Sequence, residues 1–571
     1  MQNKIKNLIH DALKNLDIEV NSISLEHPED LKNGDFSTNV ALACAKEVKK
    51  NPKILAEEIV TEILRLNTDK YIEKVETAGA GFINFHLSRK FFANSIEELL
   101  NKGEDVGKNE TLSGKKIMVE YTDPNPFKPF HIGHLMTNAI GESIARILAH
   151  SGADISRANY QGDIGLHVAK AIYGLLKDER LQDRLGTTAF QAQNIGKAYS
   201  EGAGVYETDE KAKKEIDEIN KKLYSKEDEK INEIYDWGFK VTMEAFEDLY
   251  KMLGTKFDFY FLESQMAPIG EGVVRDSIGK VFQHSDGAIV FKAEEHDPKL
   301  HTRVFITSTG LPTYETKELG LNEEKFKTEL AIDQSIVVTA NEQSDYMKVV
   351  TKALSLIHPE HAKKMLHITH GMMRLASGKM SSRKGNVVTG ESLIHDTVDL
   401  VKEKIKDREW NEEEKNKIAE IVGVSALKYS ILRQGNGGDI IFDFEKSVSF
   451  EGDSGPYLQY SYARANSVLE KAKKENILPD PHTFSDEIFE VEKMLYKFGE
   501  VVERSAKEYE PHYIANYLIE VARSFNSFYG NTVIVNKEDD TSQYKVALTF
   551  AFSFVMKKGI ELLGIVAPEK M

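Results

Sequence analysis

Only one cysteine, Cys44, occurs in 571 residues, which excludes internal disulfides and any zinc site built on paired thiolates. A reduced, cytoplasmic setting is therefore expected. Long hydrophobic runs are also missing. The longest, Val546 to Met556, is 11 residues, contains Thr549 and Ser553, and is too short to span a bilayer. Asp11, Asp17 and Glu19 interrupt the N-terminal stretch where a secretion signal would need unbroken apolar residues. No membrane contact is expected. Basic excess is lacking as well: 74 Lys+Arg stand against 91 Asp+Glu, a net charge of −17. A nucleic-acid partner would have to meet a local basic face, because the whole molecule repels phosphate. No repeat period and no low-complexity tract is found.

What is present is a soluble, multidomain composition with 41% hydrophobic and 29% charged residues. Residues 1–112 read as a small α+β unit. Ile5, Leu8, Ile9, Leu13 and Leu16 form one helical face, Pro52 opens a second helix, and 81–87 alternates as a half-buried strand. Residues 100–115 are polar and resemble a linker. From Lys115 to about 400, apolar β runs at 117–119, 288–291, 304–306, 336–339 and 366–369 are separated by helical stretches. That alternation predicts a doubly wound, largely parallel sheet. Residues 180–245 are strongly charged and read as a helical insertion whose simplest explanation is a solvated helix pair. From 401 to 571 amphipathic helices at 418–432, 457–473, 488–509, 514–529 and 544–563 predict an all-α bundle without strands.

Two segments carry chemistry. In the first, Glu120-Tyr121-Thr122-Asp123-Pro124-Asn125-Pro126-Phe127-Lys128-Pro129-Phe130-His131-Ile132-Gly133-His134, a strand runs through a Pro-braced loop into a helix start. Free N–H groups and the helix dipole there favour an anion, and Gly133 leaves room for a nucleotide against the backbone. The bland alternative is a helix start with two partly exposed histidines. The second segment, Gly378-Lys379-Met380-Ser381-Ser382-Arg383-Lys384-Gly385-Asn386, gathers three cations able to grip a polyphosphate. On its own it is equally well an ordinary solvated basic turn. Both segments follow predicted strands of one sheet, at the edge where open parallel sheets bind ligands.

These residues resemble class I aminoacyl-tRNA synthetases. His131-Ile132-Gly133-His134 is identical to the first class signature, and Lys379-Met380-Ser381-Ser382-Arg383-Lys384 is similar to the second. Within that class the chain resembles arginyl-tRNA synthetases along essentially its whole length. The resemblance runs through 34–41, 124–130, 452–460 and the ending 562–571. It implies a Rossmann-like catalytic domain over 113–400, an N-terminal α+β domain over 1–112 that contacts tRNA, and an α-helical anticodon-binding domain over 401–571. It implies arginyl-adenylate formation from L-arginine and ATP, with Mg2+ accompanying ATP and no structural metal, then transfer to the 3′ end of tRNA(Arg), by a monomer.

By the same resemblance Lys128, His131, His134, Lys379, Arg383 and Lys384 are catalytic. His131, Gly133, His134, Met380 and Ser381 bind ATP. Glu120, Asn125, Tyr314, Glu318 and Gln343 bind arginine. Tyr314 and Glu318, four apart, fall on one face of a helix. The chain departs from the family in having Glu318 for the usual aspartate, and Ser382-Arg383 for a lysine and a serine. Ile164 and His167 stand where tryptophan and glutamine are usual; His167 alone reads as a satisfied core histidine. Tyr457, Tyr460 and Tyr462 suit either base stacking or packing. Three other readings stay open: a class I synthetase for another amino acid, a catalytically silent tRNA-binding paralogue, and a nucleotidyltransferase of similar fold.

Overall fold

A computed structural model describes residues 1–329, 331–376 and 388–571. The chain forms two compact units, one of residues 1–106, 464–498 and 520–556, the other of 107–463, 499–519 and 557–571.

In the first unit, strands β1 (Phe36–Thr38), β2 (Ile72–Ala78) and β3 (Phe82–Leu87) make an antiparallel sheet ordered β1-β3-β2. Helices Gln2–Asn15 and Pro52–Leu66 bury Ile5, Ile9 and Leu13 with Leu55, Ile59 and Ile63 in one core that includes Phe36 and Phe85. Pro52 opens its helix where its missing N–H costs nothing, and Asn51 caps it by accepting from the Lys53 N–H. The stretch read as a linker from residue 100 is in part the end of helix Arg89–Lys102. In the C-terminal part of this unit, Phe525 and Phe552 stack at 3.7 Å. The Arg89 guanidinium lies over the Phe484 and Tyr544 rings and pairs with buried Glu492 at 2.7 Å.

The second unit contains, in chain order, β4 (Lys116–Glu120), β5 (Asp154–Gln161), β6 (Phe259–Leu262), β7 (Gln283–Ser285) and β8 (Ala288–Phe291). There follow β9 (Arg303–Ile306), β10 (Gln334–Ala340), β11 (Met365–His370), β12 (Met373–Leu375) and β13 (Ile440–Phe442). Five of them form the expected parallel sheet, in the order β11-β10-β4-β5-β6. The chain starts in the middle at β4, adds β5 and β6 on one side, then returns to add β10 and β11 on the other. The order therefore reverses between β4 and β10, and the crevice outside their C-terminal ends is the place for a ligand.

Three expectations are corrected. The apolar runs at 288–291 and 304–306 are not in the parallel sheet; with β7 they make a separate antiparallel sheet, β7-β8-β9, around Phe282, Phe291 and Phe305. Apolar character marked them as buried strands but carries no information about partners. Residues 401–571 are also not free of strands, because β13 pairs in parallel with β12. The helix expected over 488–509 is two, Glu490–Leu495 and Phe498–Glu508.

The charged insertion folds as helices Thr188–Thr208, Glu210–Ser225 and Glu229–Leu253, each started by a side-chain cap: Thr187, Asp209 and Asp228. Ile195, Ile216, Ile219, Ile231 and Ile234 line its inner face, while the Lys and Glu residues face outward.

Candidate functional site

The loop after β4 holds three non-glycine residues at positive φ: Thr122 at 79°, Asp123 at 47° and Phe127 at 67°. Such conformations cost about 1–3 kcal/mol each and persist only where the surroundings enforce them. Here they do. The Thr122 hydroxyl accepts from Asn138 Nδ2 at 3.0 Å, and the Asp123 carboxylate accepts the Tyr160 backbone N–H at 2.7 Å. Buried Phe127 stacks on Tyr235 and lies against Gly238, where a Cβ would come within 2.3 Å of its ring. The insertion helix Glu229–Leu253 thus forms one wall of the loop. Tyr235 also donates to buried Asp163 at 3.0 Å, fixing the Gly162–His167 segment.

The loop delivers His131 to the N-cap of helix Ile132–His150. Each signature histidine caps the other: Nδ1 of His134 accepts the His131 N–H at 3.2 Å, and Nδ1 of His131 accepts the His134 N–H at 3.4 Å. The rings stack at 3.4 Å. A backbone N–H only donates, so both Nδ1 atoms are unprotonated and each ring carries its proton on Nε2. Burial and the nearby Lys128 ammonium hold His131 down to about 4; burial and His131 hold His134 well below the usual histidine range. The pair therefore presents two neutral Nε2–H donors. A Cβ at Gly133 would sit 3.0 Å from the His131 ring, so any larger residue there would press on the signature histidine. Lys128 lies over the Tyr199 ring, 5.5 Å from its centre, with its pKa lowered by burial.

Lys379, Met380, Ser381, Arg383 and Lys384 lie outside the described residues. The positions on either side are fixed. Ala376 donates its N–H to Phe442 after β12, and Gly390 donates its N–H to the Phe130 carbonyl at 2.8 Å. A Cβ on Gly390 would lie 2.8 Å from the His131 carbonyl oxygen, so glycine permits this contact. Helix Gly390–Ile405 thus starts against the first signature.

A second group of polar side chains lies at the C-terminal edge of β4, β5 and β6. Buried Glu120, the last residue of β4, is ion-paired with buried Lys325. Glu263 pairs with Lys317 at 2.6 Å, both less than a tenth exposed. Tyr314 and Glu318 do share a face of helix Tyr314–Thr328. Tyr314 is 64% exposed, with the Lys317 ammonium over its ring, and Glu318 accepts from the Tyr346 hydroxyl at 3.3 Å. The Asn125 amide oxygen lies against Gly162, where a Cβ would be 2.2 Å from it and 3.2 Å from Glu263 Oε1. Gln343 is exposed in the turn Asn341–Gln343 that follows β10.

His167 is half-buried and its Nε2 donates to the Gly162 carbonyl at 2.7 Å. Of the three tyrosines, Tyr462 is buried, while Tyr457 and Tyr460 are half-buried. Sequence reasoning missed Lys325, Glu263, Lys317 and Tyr160, which are brought here by long-range packing. The signal the sequence offered was that Glu120 follows the apolar run 117–119 of the expected parallel sheet. Among the described residues no group of three or more His, Cys, Asp or Glu side chains is placed to hold a metal ion, and no helix is long and apolar enough to cross a membrane.

Comparison with known proteins places this geometry. Residues 95–444 match the family model for the class I (R) tRNA synthetase catalytic domain. Residues 3–87 match that for the arginyl-tRNA synthetase N-terminal domain, and 458–571 that for the DALR anticodon-binding domain. An arginine–tRNA ligase of Halothermothrix orenii is 31% identical over 577 residues, covering 100% of this chain and 99% of the relative. One from Clostridium perfringens is 32% identical over 581 residues, covering 99% and 100%. The fold is similar to that of Thermus thermophilus arginyl-tRNA synthetase, with a TM-score of 0.79 at 24% identity and 100% of each chain covered. It is likewise similar to the Plasmodium falciparum enzyme, with a TM-score of 0.78 at 21% identity, covering 100% and 99%.

Proposed function

The chain belongs to the arginyl-tRNA synthetase family, and on that premise we propose how its residues divide the reaction. The activity is that of an arginine–tRNA ligase: L-arginine and ATP give arginyl-adenylate and pyrophosphate, and the arginyl group then passes to the 3′ end of tRNA(Arg). The observation that carries the division is the reciprocal capping of His131 and His134 at the sheet's switch point. As the arginine carboxylate attacks the α-phosphorus, negative charge builds on the phosphate oxygens. Two preset Nε2–H donors and a helix N-terminus stabilise that charge without reorganisation. Lys128 adds a cation beside them, and the backbone at Gly133 takes the nucleotide.

Lys379, Arg383 and Lys384 neutralise the departing pyrophosphate, with Met380 and Ser381 against the nucleotide and Mg2+ accompanying ATP. Glu120 and Asn125 hold the ammonium and carbonyl ends of arginine, Tyr314 and Glu318 its guanidinium, and Gln343 contacts the substrate from the end of β10. Residues 113–400 form the catalytic domain, 1–112 meet tRNA and 401–571 read the anticodon. The working form is a cytoplasmic monomer.

Charging of tRNA from the same organism, assayed separately with each of the twenty amino acids and ATP, tests this reading. Arginine alone should be transferred. Transfer of another amino acid would overturn the arginine assignment, and tight tRNA binding without ATP turnover would establish a silent paralogue.

A further inference from the structure

A hydrogen-bonded junction lies behind the helix that carries the signature histidines. Residues 561–566, at the end of helix Ser542–Leu562 and just past it, belong to the same unit as that helix. Their carbonyl oxygens are received one by one. Arg146 Nη1 donates to Glu561 at 3.0 Å, the Ser143 hydroxyl to Leu562 at 2.9 Å, the Lys428 ammonium to Gly564 at 2.7 Å and the Gln459 amide to Val566 at 2.7 Å. Ser143, Lys428 and Gln459 are fully buried. Two of these donors also hold the end of insertion helix Glu229–Leu253. Lys428 donates to the Leu253 carbonyl, and Arg146 Nη2 to the Gly254 carbonyl at 2.8 Å.

Carbonyls in the last turn of a helix have no partner within it, so some capping is expected. Two features go beyond capping. Ser143 and Arg146 lie on helix Ile132–His150 itself, so the signature helix cannot slide along its axis without breaking their bonds. Arg146 is also shared. Its Nε donates to buried Glu142, one turn earlier, at 2.7 Å. Glu142 in turn accepts from Arg157 at 3.0 Å and from the Tyr121 hydroxyl. Burial pushes its carboxyl up, but the Arg146 and Arg157 guanidiniums outweigh that and hold it below the ordinary carboxylate range. Tyr121 is the root of the catalytic loop. It follows β4 and precedes Thr122 and Asp123, both at positive φ, and its side chain lies against Gly141, where a Cβ would come within 2.3 Å.

We propose that Arg146 and Glu142 are positioning residues for arginyl-adenylate formation, carrying the placement of residues 561–566 and of the insertion helix's end to Tyr121, and so setting the loop that presents Lys128 and the signature histidines. The planar guanidinium directs its three nitrogens at three segments, Glu142, Glu561 and Gly254, and fixes their spacing in one plane. An ammonium, a point charge on a flexible stem, cannot do so. A misplacement of about 1 Å at reacting groups costs on the order of 10²-fold in rate, so the path acts on the chemical step rather than on substrate binding. The inference rests on the reading that this site forms an adenylate.

The test is single-turnover arginyl-adenylate formation by the whole chain, with tRNA from the same organism present and rates counted per folded molecule by circular dichroism. Tyr121→Phe cuts the path at the loop and Lys428→Met cuts it at residues 561–566. Arg146→Lys cuts it in the middle, keeping the charge and losing the fork. Each should slow adenylate formation about ten- to a hundredfold, with half-saturating ATP and arginine within about twofold of the unaltered protein. The Tyr121→Phe/Lys428→Met double variant should be no slower than the slower single one, because both break one path. If Lys428→Met does not fold, Ser143→Ala, which drops the bond to Leu562, takes its place in the cycle and is read the same way. An unchanged rate per folded molecule in any single variant would overturn the proposal. So would effects that multiply in the double variant, or weaker substrate binding at an unchanged rate. No adenylate from arginine and ATP in the unaltered protein would instead overturn the functional reading itself.

Discussion

The charged insertion and the site are built from the same residue types under opposite rules. In the insertion, Lys221–Glu218, Lys240–Glu244 and Lys251–Asp248 join exposed side chains three or four positions apart on a helix face. Each such pair is worth about 0–1 kcal/mol, because water already satisfies both charges. At the site, Lys325–Glu120 and Lys317–Glu263 join side chains less than a tenth exposed, drawn together from segments far apart in sequence. There the charges depend on one another, because solvent cannot replace a lost partner. The difference teaches that charge density alone does not locate function. The longest run of Lys and Glu in the sequence is mostly solvated surface, and the buried, paired acids Glu120 and Glu263 stand singly outside it.

The contrast gives three predictions. Lys317→Met leaves Glu263 buried and alone, and should cost about 3–5 kcal/mol in urea unfolding, on the scale of a broken buried pair. A loss below about 1 kcal/mol would place the pair with the surface ones. Gly390→Ala drives a Cβ toward the His131 carbonyl and the Phe130 ring, 2.8 and 2.9 Å away. It should cost about 1–3 kcal/mol and lower turnover by displacing the first signature. Normal stability and turnover would show that the contact between Gly390 and the first signature is incidental. Lys221→Ala should change stability by no more than about 0.5 kcal/mol and leave charging unaltered. A larger effect would mean that the outer face of the insertion has a partner.

Much of the fold was legible because it is locally encoded. Ile117-Met118-Val119 and Ile336 to Thr339 are compact apolar runs that became β4 and β10, and the stripe from Leu135 to Leu148 became the helix behind the histidines. What failed was non-local. β5 reads Asp-Ile-Ser-Arg-Ala-Asn-Tyr-Gln, in which Asn159 and Gln161 are wholly buried, so its polarity hid a central strand. β8 and β9 announced themselves as strands but not which sheet they join. The site follows the same division. His131 and His134 stand in one short motif whose geometry is set by its own helix start. Lys325 and Tyr160 acquire meaning only when β5 and helix Tyr314–Thr328 are packed beside β4.

The central claim is that His131 and His134 act as neutral donors to the transition state rather than as cationic anchors for ATP. The most direct test is single-turnover arginyl-adenylate formation by His134→Ala, with the ATP dependence measured in the same experiment. The expected result is a rate lowered about 10²- to 10³-fold with the apparent ATP affinity nearly unchanged. A weakened ATP affinity with an unchanged rate at saturation would contradict it.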